Sequence, residues 1–244
     1  MKFYRYFLDG HPMYLVRYYW WAYLWGPAIW FFDHQVIINA ILFGQYKKLM
    51  AATLSQLKDL SNGEILQLTC VYGSLTPNIL SKVLPHCVHI ADVSIEQLKK
   101  ACSKTSDNTQ LIPARMNAEH LAYKDNSFST IVLFFLLHEM PLAARRNVLA
   151  ECMRVLSLNG TLLCTEYAPM PVNHLLYRFY PTRAVLMRLE PFLASFWHDD
   201  LLAMLKEFGK SYGKDVVVES HKLVFFNFYR VTRFRVVDVE EKRG

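Results

Sequence analysis

The residues best suited to chemistry stand at the ends of short apolar runs. Ile65, Leu66, Leu68 and Cys70 lead into Val71-Tyr72-Gly73-Ser74, and Pro77 suits the first turn of a following helix. A strand, a glycine turn and a helix N-terminus in that order hold anionic or nucleotide ligands, because the turn offers free backbone N–H groups. A dinucleotide-type loop carries three glycines and this one carries Gly73 alone, so Val71, Tyr72, Gly73 and Ser74 read as a cofactor loop of altered chemistry. Tyr72 is there either a packing aromatic or a direct contact with a catalytic role. A second apolar run, Cys87 to Ala91, ends in Asp92-Val93-Ser94. Asp92 lies 19 residues beyond Gly73, where a carboxylate can take two ribose hydroxyls, although an isolated Asp also suits a helix cap. Asn117 follows a weaker run, Leu111 to Met116, and its amide suits either an adenine edge or a turn. Val93 and Ala118, next in chain to these two, are counted with them as cofactor contacts.

A different chemistry closes the fourth run, Thr130 to Leu137. His138 and Glu139 follow it directly, and imidazole and carboxylate are both metal-ligand types. His138 is also the natural acid–base candidate. Glu166, at the tip of a fifth run, and His174, in a later basic segment, are further possible ligands that no spacing rule selects. Asp33-His34 and His198-Asp199 read as surface or cap residues.

These positions need a scaffold. Apolar runs alternate with helical stretches from residue 65 to 166, which predicts an α/β doubly wound, mostly parallel sheet. Asp215–Ser220 and Leu223–Val231 read as two terminal strands, and Arg230, Arg233 and Arg235 as a solvated edge. We place a helical leader at residues 1–60 and the main domain at 61–244, with a helical lid at about 169–200. Fourteen of the first 32 residues are Phe, Tyr or Trp. Tyr18–Phe32 runs fifteen residues without a charge, but Gly26-Pro27 interrupts it, and a bilayer span needs roughly 20 apolar residues. Two interfacial helices at a membrane surface are expected, or else packing of the aromatics on the domain. Within the lid, Pro169–Trp197 interleaves Arg178, Arg183 and Arg188 with aliphatic and aromatic residues and holds a single acid, Glu190. With a net charge of +6, that pattern suits anionic lipid better than nucleic acid. Five cysteines without a C-x-x-C pair read as reduced thiols, not as a disulfide frame or zinc site. No signal peptide is recognisable.

The ensemble of strand–glycine turn–helix, Ile90-Ala91-Asp92-Val93-Ser94, Asn117-Ala118-Glu119-His120-Leu121 and Arg154-Val155-Leu156-Ser157-Leu158-Asn159-Gly160 resembles the class I S-adenosylmethionine-dependent methyltransferases. Their loop reads acid-x-Gly-x-Gly, where this chain has Thr69-Cys70-Val71-Tyr72-Gly73-Ser74. Tyr19-Trp20-Trp21-Ala22-Tyr23, Val71-Tyr72-Gly73-Ser74-Leu75-Thr76, Leu136-Leu137-His138-Glu139-Met140-Pro141 and Leu189-Glu190-Pro191-Phe192-Leu193 narrow the likeness to the RquA-type rhodoquinone biosynthesis proteins. That resemblance implies conversion of ubiquinone to rhodoquinone, with S-adenosylmethionine donating an amino group in place of a ring methoxy and manganese (Mn²⁺) required. It implies a peripheral place on the cytoplasmic face of a bacterial inner membrane or the matrix face of a mitochondrial inner membrane. Two other expectations stand beside it: a conventional methyltransferase acting on a prenylated quinone precursor, and an inactive methyltransferase fold serving as a scaffold.

Overall fold

The computed structural model describes residues 10–58, 63–70, 72–105 and 109–239; the expectation for Val71 lies outside the described residues. Seven strands form one sheet: β1 (Ile65–Leu68), β2 (Val88–Asp92), β3 (Leu111–Arg115), β4 (Phe128–Phe134), β5 (Leu156–Tyr167), β6 (Lys214–Val224) and β7 (Tyr229–Asp238). Their order is β3-β2-β1-β4-β5-β7-β6. The first five are mutually parallel, and β7 enters antiparallel between β5 and β6. The doubly wound sheet expected from the alternation is therefore what forms. All four residues of β1 are buried, as befits a central strand covered on both faces. Burial of Leu66, Leu68, Ile131 and Leu133 stabilises the centre by about 1.5–3 kcal/mol per side chain. Pro113 is tolerated because β3 is an edge strand.

The leader is more subdivided than two interfacial helices. A π-helical turn at Leu15–Tyr19 is followed by α1 (Trp20–Tyr23), α2 (Gly26–Phe32), α3 (Gln35–Ile41) and α4 (Tyr46–Ser55). Gly26-Pro27 interrupts the apolar run as expected: α1 ends at Tyr23 and α2 opens at Gly26, where proline in the first turn forfeits no hydrogen bond. Among the described residues no helix is long and apolar enough to cross a membrane. Between strands run α5 (Leu75–Val83), α6 (Ile95–Ser103) and α7 (Leu142–Val155). The lid comprises α8 (Leu175–Arg178), α9 (Tyr180–Leu189) and α10 (Leu193–Phe196), and α11 (Leu201–Lys210) then leads into β6.

Two local expectations need correction. The aromatic run read as one strand over Leu223–Val231 is divided by a hairpin turn: Phe225, Phe226 and Asn227 have φ of 56°, 51° and 67°. Composition pointed to a strand, but three successive left-handed residues turn the chain and delay β7 to Tyr229. Arg230, Arg233 and Arg235 consequently lie within β7, which is an inner strand and not a solvated edge; Arg233 is buried, with Nε 2.6 Å from Glu219. Asn159-Gly160 bulges within β5. Phe128 pairs with Leu156 and Thr130 with Thr161, so the intervening residues of β5 loop out of register.

Candidate active site

The strand order reverses between β1 and β4, and ligands of open α/β sheets bind at the carboxyl ends flanking such a switch point. Here those ends open into a cavity of about 270 Å³, roofed by the leader. Thr69, after β1, and Phe135, after β4, border it with φ of 68° and 56°. Each costs about 1–2 kcal/mol in a residue other than glycine, and such strain gathers at functional sites.

On one side the cavity presents Asp92, Val93, Asn117 and Ala118, four of the expected cofactor contacts, together with Cys70 and Gln97. Asp92 ends β2 but caps no helix. Ser94 does that, its hydroxyl accepting the Gln97 N–H at 3.4 Å. Asp92 accepts instead from the backbone N–H groups of Ser94 and Cys70, both at 2.7 Å. Burial, only partly offset by these donors, pushes its carboxyl up to about 6. Asn117 Oδ1 receives the Glu119 N–H at 2.9 Å, which makes Asn117 a turn residue and leaves its amide N–H₂ as the donor toward a ligand.

The glycine loop is used differently. Gly73 has φ of +79°, and a Cβ there would lie 2.6 Å from the Tyr46 hydroxyl, so only glycine fits. Its N–H donates to Asp33 Oδ1 at 2.9 Å, and its carbonyl accepts from Lys104 at 2.8 Å. Ser74 N–H donates to the Tyr46 hydroxyl at 2.8 Å. Gly73 and Ser74 thus bond to the leader and do not line the cavity. Tyr72 does line it, but its hydroxyl donates to the Ala22 carbonyl and its ring stacks on Tyr23, with centroids 5.7 Å apart. Asp33, read as a surface or cap residue, is in fact a part-buried clamp: Lys104 lies 2.6 Å and Lys100 3.4 Å from it. His34 is exposed, against Trp30.

Across the cavity, the short helical turn Leu137–Glu139 carries His138 and Glu139. Glu166, on β5, is not a third ligand at the mouth of the site. It is fully buried beneath His138, accepting the Leu137 N–H at 2.6 Å and contacting His138 Nδ1 at 2.8 Å. That carboxylate orients the ring and leaves Nε2 facing the cavity, where Glu190 of the lid lies 3.7 Å away. His138, Glu139 and Glu190 offer donor atoms within 4.8 Å of one another. Burial alone would lower the His138 pKa, but Glu166, Glu190 and Glu139 outweigh it and raise it to about 9. Burial and the neighbouring Glu190 push Glu139 up to about 8. Two leader hydroxyls complete the group: Tyr19 donates to Glu190 at 3.0 Å, and Tyr23 donates to Glu139.

His174 belongs elsewhere. Its Nδ1 caps α8 by accepting the Leu176 N–H, and its ring packs on Phe225 and Phe228. Asp199 is not a surface residue but pairs with buried Arg145 at 2.6 Å. Sequence reading missed Glu190, Asp33, Tyr19 and Tyr23 as site residues. A signal for Glu190 was that it is the sole acid in the basic stretch Pro169–Trp197.

Known proteins align with this arrangement. A family model described as a methyltransferase domain matches residues 65–160. A demethylmenaquinone methyltransferase of Lactiplantibacillus plantarum is 29% identical over 153 residues, 60% of this chain and 64% of that protein. This chain therefore spans less than two thirds of that relative's length. A ubiquinone/menaquinone biosynthesis C-methyltransferase, UbiE, of Bartonella quintana is 28% identical over 205 residues, 80% of this chain and 75% of that protein. The N-methyltransferase NodS of Bradyrhizobium japonicum, solved with S-adenosylhomocysteine, superposes with a TM-score of 0.53 at 15% identity, over 78% of this chain and 85% of that one. Sheet order and structural likeness together show the class I S-adenosylmethionine-dependent methyltransferase fold, and within it residues 65–160 match the methyltransferase-domain model.

Proposed function

We propose that the protein is an S-adenosylmethionine-dependent transferase that modifies the ring of a prenylated quinone at a membrane surface. The observation that carries this reading is the composite cavity. One wall has the groups for a nucleoside, Asp92 and Asn117, and the other has the His138–Glu139–Glu190 cluster among aromatic rings. Asp92 accepts the ribose hydroxyls, Asn117 donates to the adenine, and the flat apolar walls between suit a quinone ring. His138, held by Glu166 in one orientation, directs Nε2 at the acceptor.

The names of the curated relatives favour methyl transfer as the group transfer. A second reading, amino transfer from S-adenosylmethionine that turns ubiquinone into rhodoquinone, is favoured by the cluster itself. Three carboxylates crowd one imidazole, and burial and Glu190 push Glu139 up to about 8; a bound cation would relieve that crowding and let the carboxylates ionise together. The donors fit Mn²⁺: carboxylate oxygen and imidazole nitrogen are hard enough for it, and the hydrogen bond from the second ring nitrogen to Glu166 is the support that metal-bound histidines have. His138, Glu139 and Glu190 would hold the ion, which would supply a Lewis acid for a ring carbonyl oxygen.

Peripheral membrane association rests on the outer surface of leader and lid. Trp20, Trp25, Trp30 and Phe31 of the leader are exposed, as are Leu175, Phe179 and Leu189 of the lid beside Arg178 and Arg188. Aromatic rings suit the membrane–water boundary and arginines an anionic leaflet. Doubly labelled cofactor tests the chemistry: the purified protein with quinone-bearing vesicles should place either the S-methyl carbon or the α-amino nitrogen on the quinone ring. Product without either label sinks the proposal.

A further inference from the structure

Resting on the reading of His138, Glu139 and Glu190 as a cation site, we infer that Tyr19 and Tyr23 are positioning residues of that site. The leader inserts two phenol hydroxyls that orient the two carboxylates facing His138. Tyr19 and Tyr23 are four positions apart, which on a helical path puts both side chains on one face. That face points inward. Tyr19 is only 2% exposed, and its hydroxyl reaches Glu190 across 171 residues of sequence. Tyr23 reaches Glu139 across 116.

Neither hydroxyl is free to wander. The Tyr23 ring lies flat on Tyr72, at 11° between planes, and 6.0 Å from the Tyr19 ring. The backbone between them is pinned as well: Tyr72 donates to the Ala22 carbonyl, and Ser94 Oγ donates to the Tyr23 carbonyl at 3.1 Å. Two carboxylates close to each other and to Glu166 repel, and in isolation would swing apart or take up a proton. A fixed O–H donor on each holds it in place against that repulsion, as Glu166 holds the imidazole. Each of the three candidate ligands thus has its own outer partner, and two of those partners come from the leader. The leader is then part of the site and more than a surface for lipid.

The test uses the full chain and MnCl2 alone, with free Mn²⁺ followed by its solution EPR signal. Tyr19→Phe and Tyr23→Phe remove only the hydroxyl and keep the ring packing. Each should weaken Mn²⁺ binding about 10-fold or more, the usual effect of losing an outer hydrogen-bond partner of a ligand. S-adenosylhomocysteine affinity and tryptophan emission should stay at wild-type values, because a hydroxyl that merely fastened the leader would disturb these and not the cation. Either variant, once shown by its thermal transition to be folded, decides the matter. Wild-type Mn²⁺ affinity in the folded variants overturns the inference while the cation reading stands. A wild-type protein that binds S-adenosylhomocysteine but leaves the Mn²⁺ signal unchanged overturns both.

Discussion

The place of Asp92, at the end of β2 on the cavity wall, was legible from spacing alone, because the tip of the second strand lies at a fixed distance along a βαβ unit. Its partners were not legible, since a hydrogen bond from Cys70 N–H spans 22 residues of sequence and leaves no periodic trace. Those partners set its behaviour. Ribose hydroxyls favour the ionised carboxylate, and the carboxyl of the free protein is pushed up to about 6. S-adenosylhomocysteine affinity should therefore be full above that pH and fall by roughly tenfold per unit below it. Calorimetric titration from pH 5 to 8 checks this; a flat profile removes Asp92 from the ribose. For the ligand-free fold the sign is opposite. The folded value lies above the ordinary 3.8, so ionisation of Asp92 opposes folding, increasingly from about pH 4 to 6. Asp92→Asn should lower S-adenosylhomocysteine affinity on the order of 100-fold, as two hydrogen bonds to a charged acceptor are worth roughly 1.5 kcal/mol or more each.

At the scale of elements, the sheet could be read because buried strands are near-continuous apolar runs and their order follows from βαβ geometry. The leader and lid could be read as helical but their packing could not, because an aromatic run looks alike whether it meets lipid or protein. In the structure it does the second on its inner face, through Tyr19, Tyr23 and Tyr72, and leaves Trp20, Trp25 and Trp30 outward. Asp33 shows the same limit, since its role depends on Gly73 and Lys104, 40 and 71 residues away. Replacing Asp33 by Ala should loosen the leader by about 1.5–3 kcal/mol. Limited proteolysis would show it as cleavage within the leader at least tenfold faster, with the sheet domain intact. Arg145, on α7, plays the corresponding part for the lid. It is fully buried, donates to the Met140 carbonyl just after the His138–Glu139 turn, and pairs with Asp199 beyond α10. Arg145→Ala strands Asp199 without its partner and should cost about 3–5 kcal/mol in denaturant unfolding. A loss under 1 kcal/mol would show the pair to be dispensable.

For the whole molecule, leader and lid meet at Tyr18 and Phe192, whose rings are 5.2 Å apart. Their outward residues combine aromatics with arginines on a chain of net charge +6. The protein should sediment with vesicles containing anionic lipid, more weakly as salt rises. Its tryptophan emission should shift to the blue, because four of its five tryptophans lie in the leader. Absence of both effects would remove the membrane from the account. The central claim is that a cofactor held by Asp92 and Asn117 delivers a group to a quinone ring beside His138. It is tested most directly by mass spectrometry of quinones after incubating the full chain with Mn²⁺, ubiquinone vesicles and S-adenosylmethionine carrying ¹⁵N in its α-amino group and ¹³C in its S-methyl group. The account predicts a ring-modified quinone bearing one of the two labels, ¹⁵N if the group is amino and ¹³C if it is methyl, and a loss of product in Asp92→Asn. Unmodified quinone in the presence of bound cofactor, or a modified ring with neither label, would contradict it.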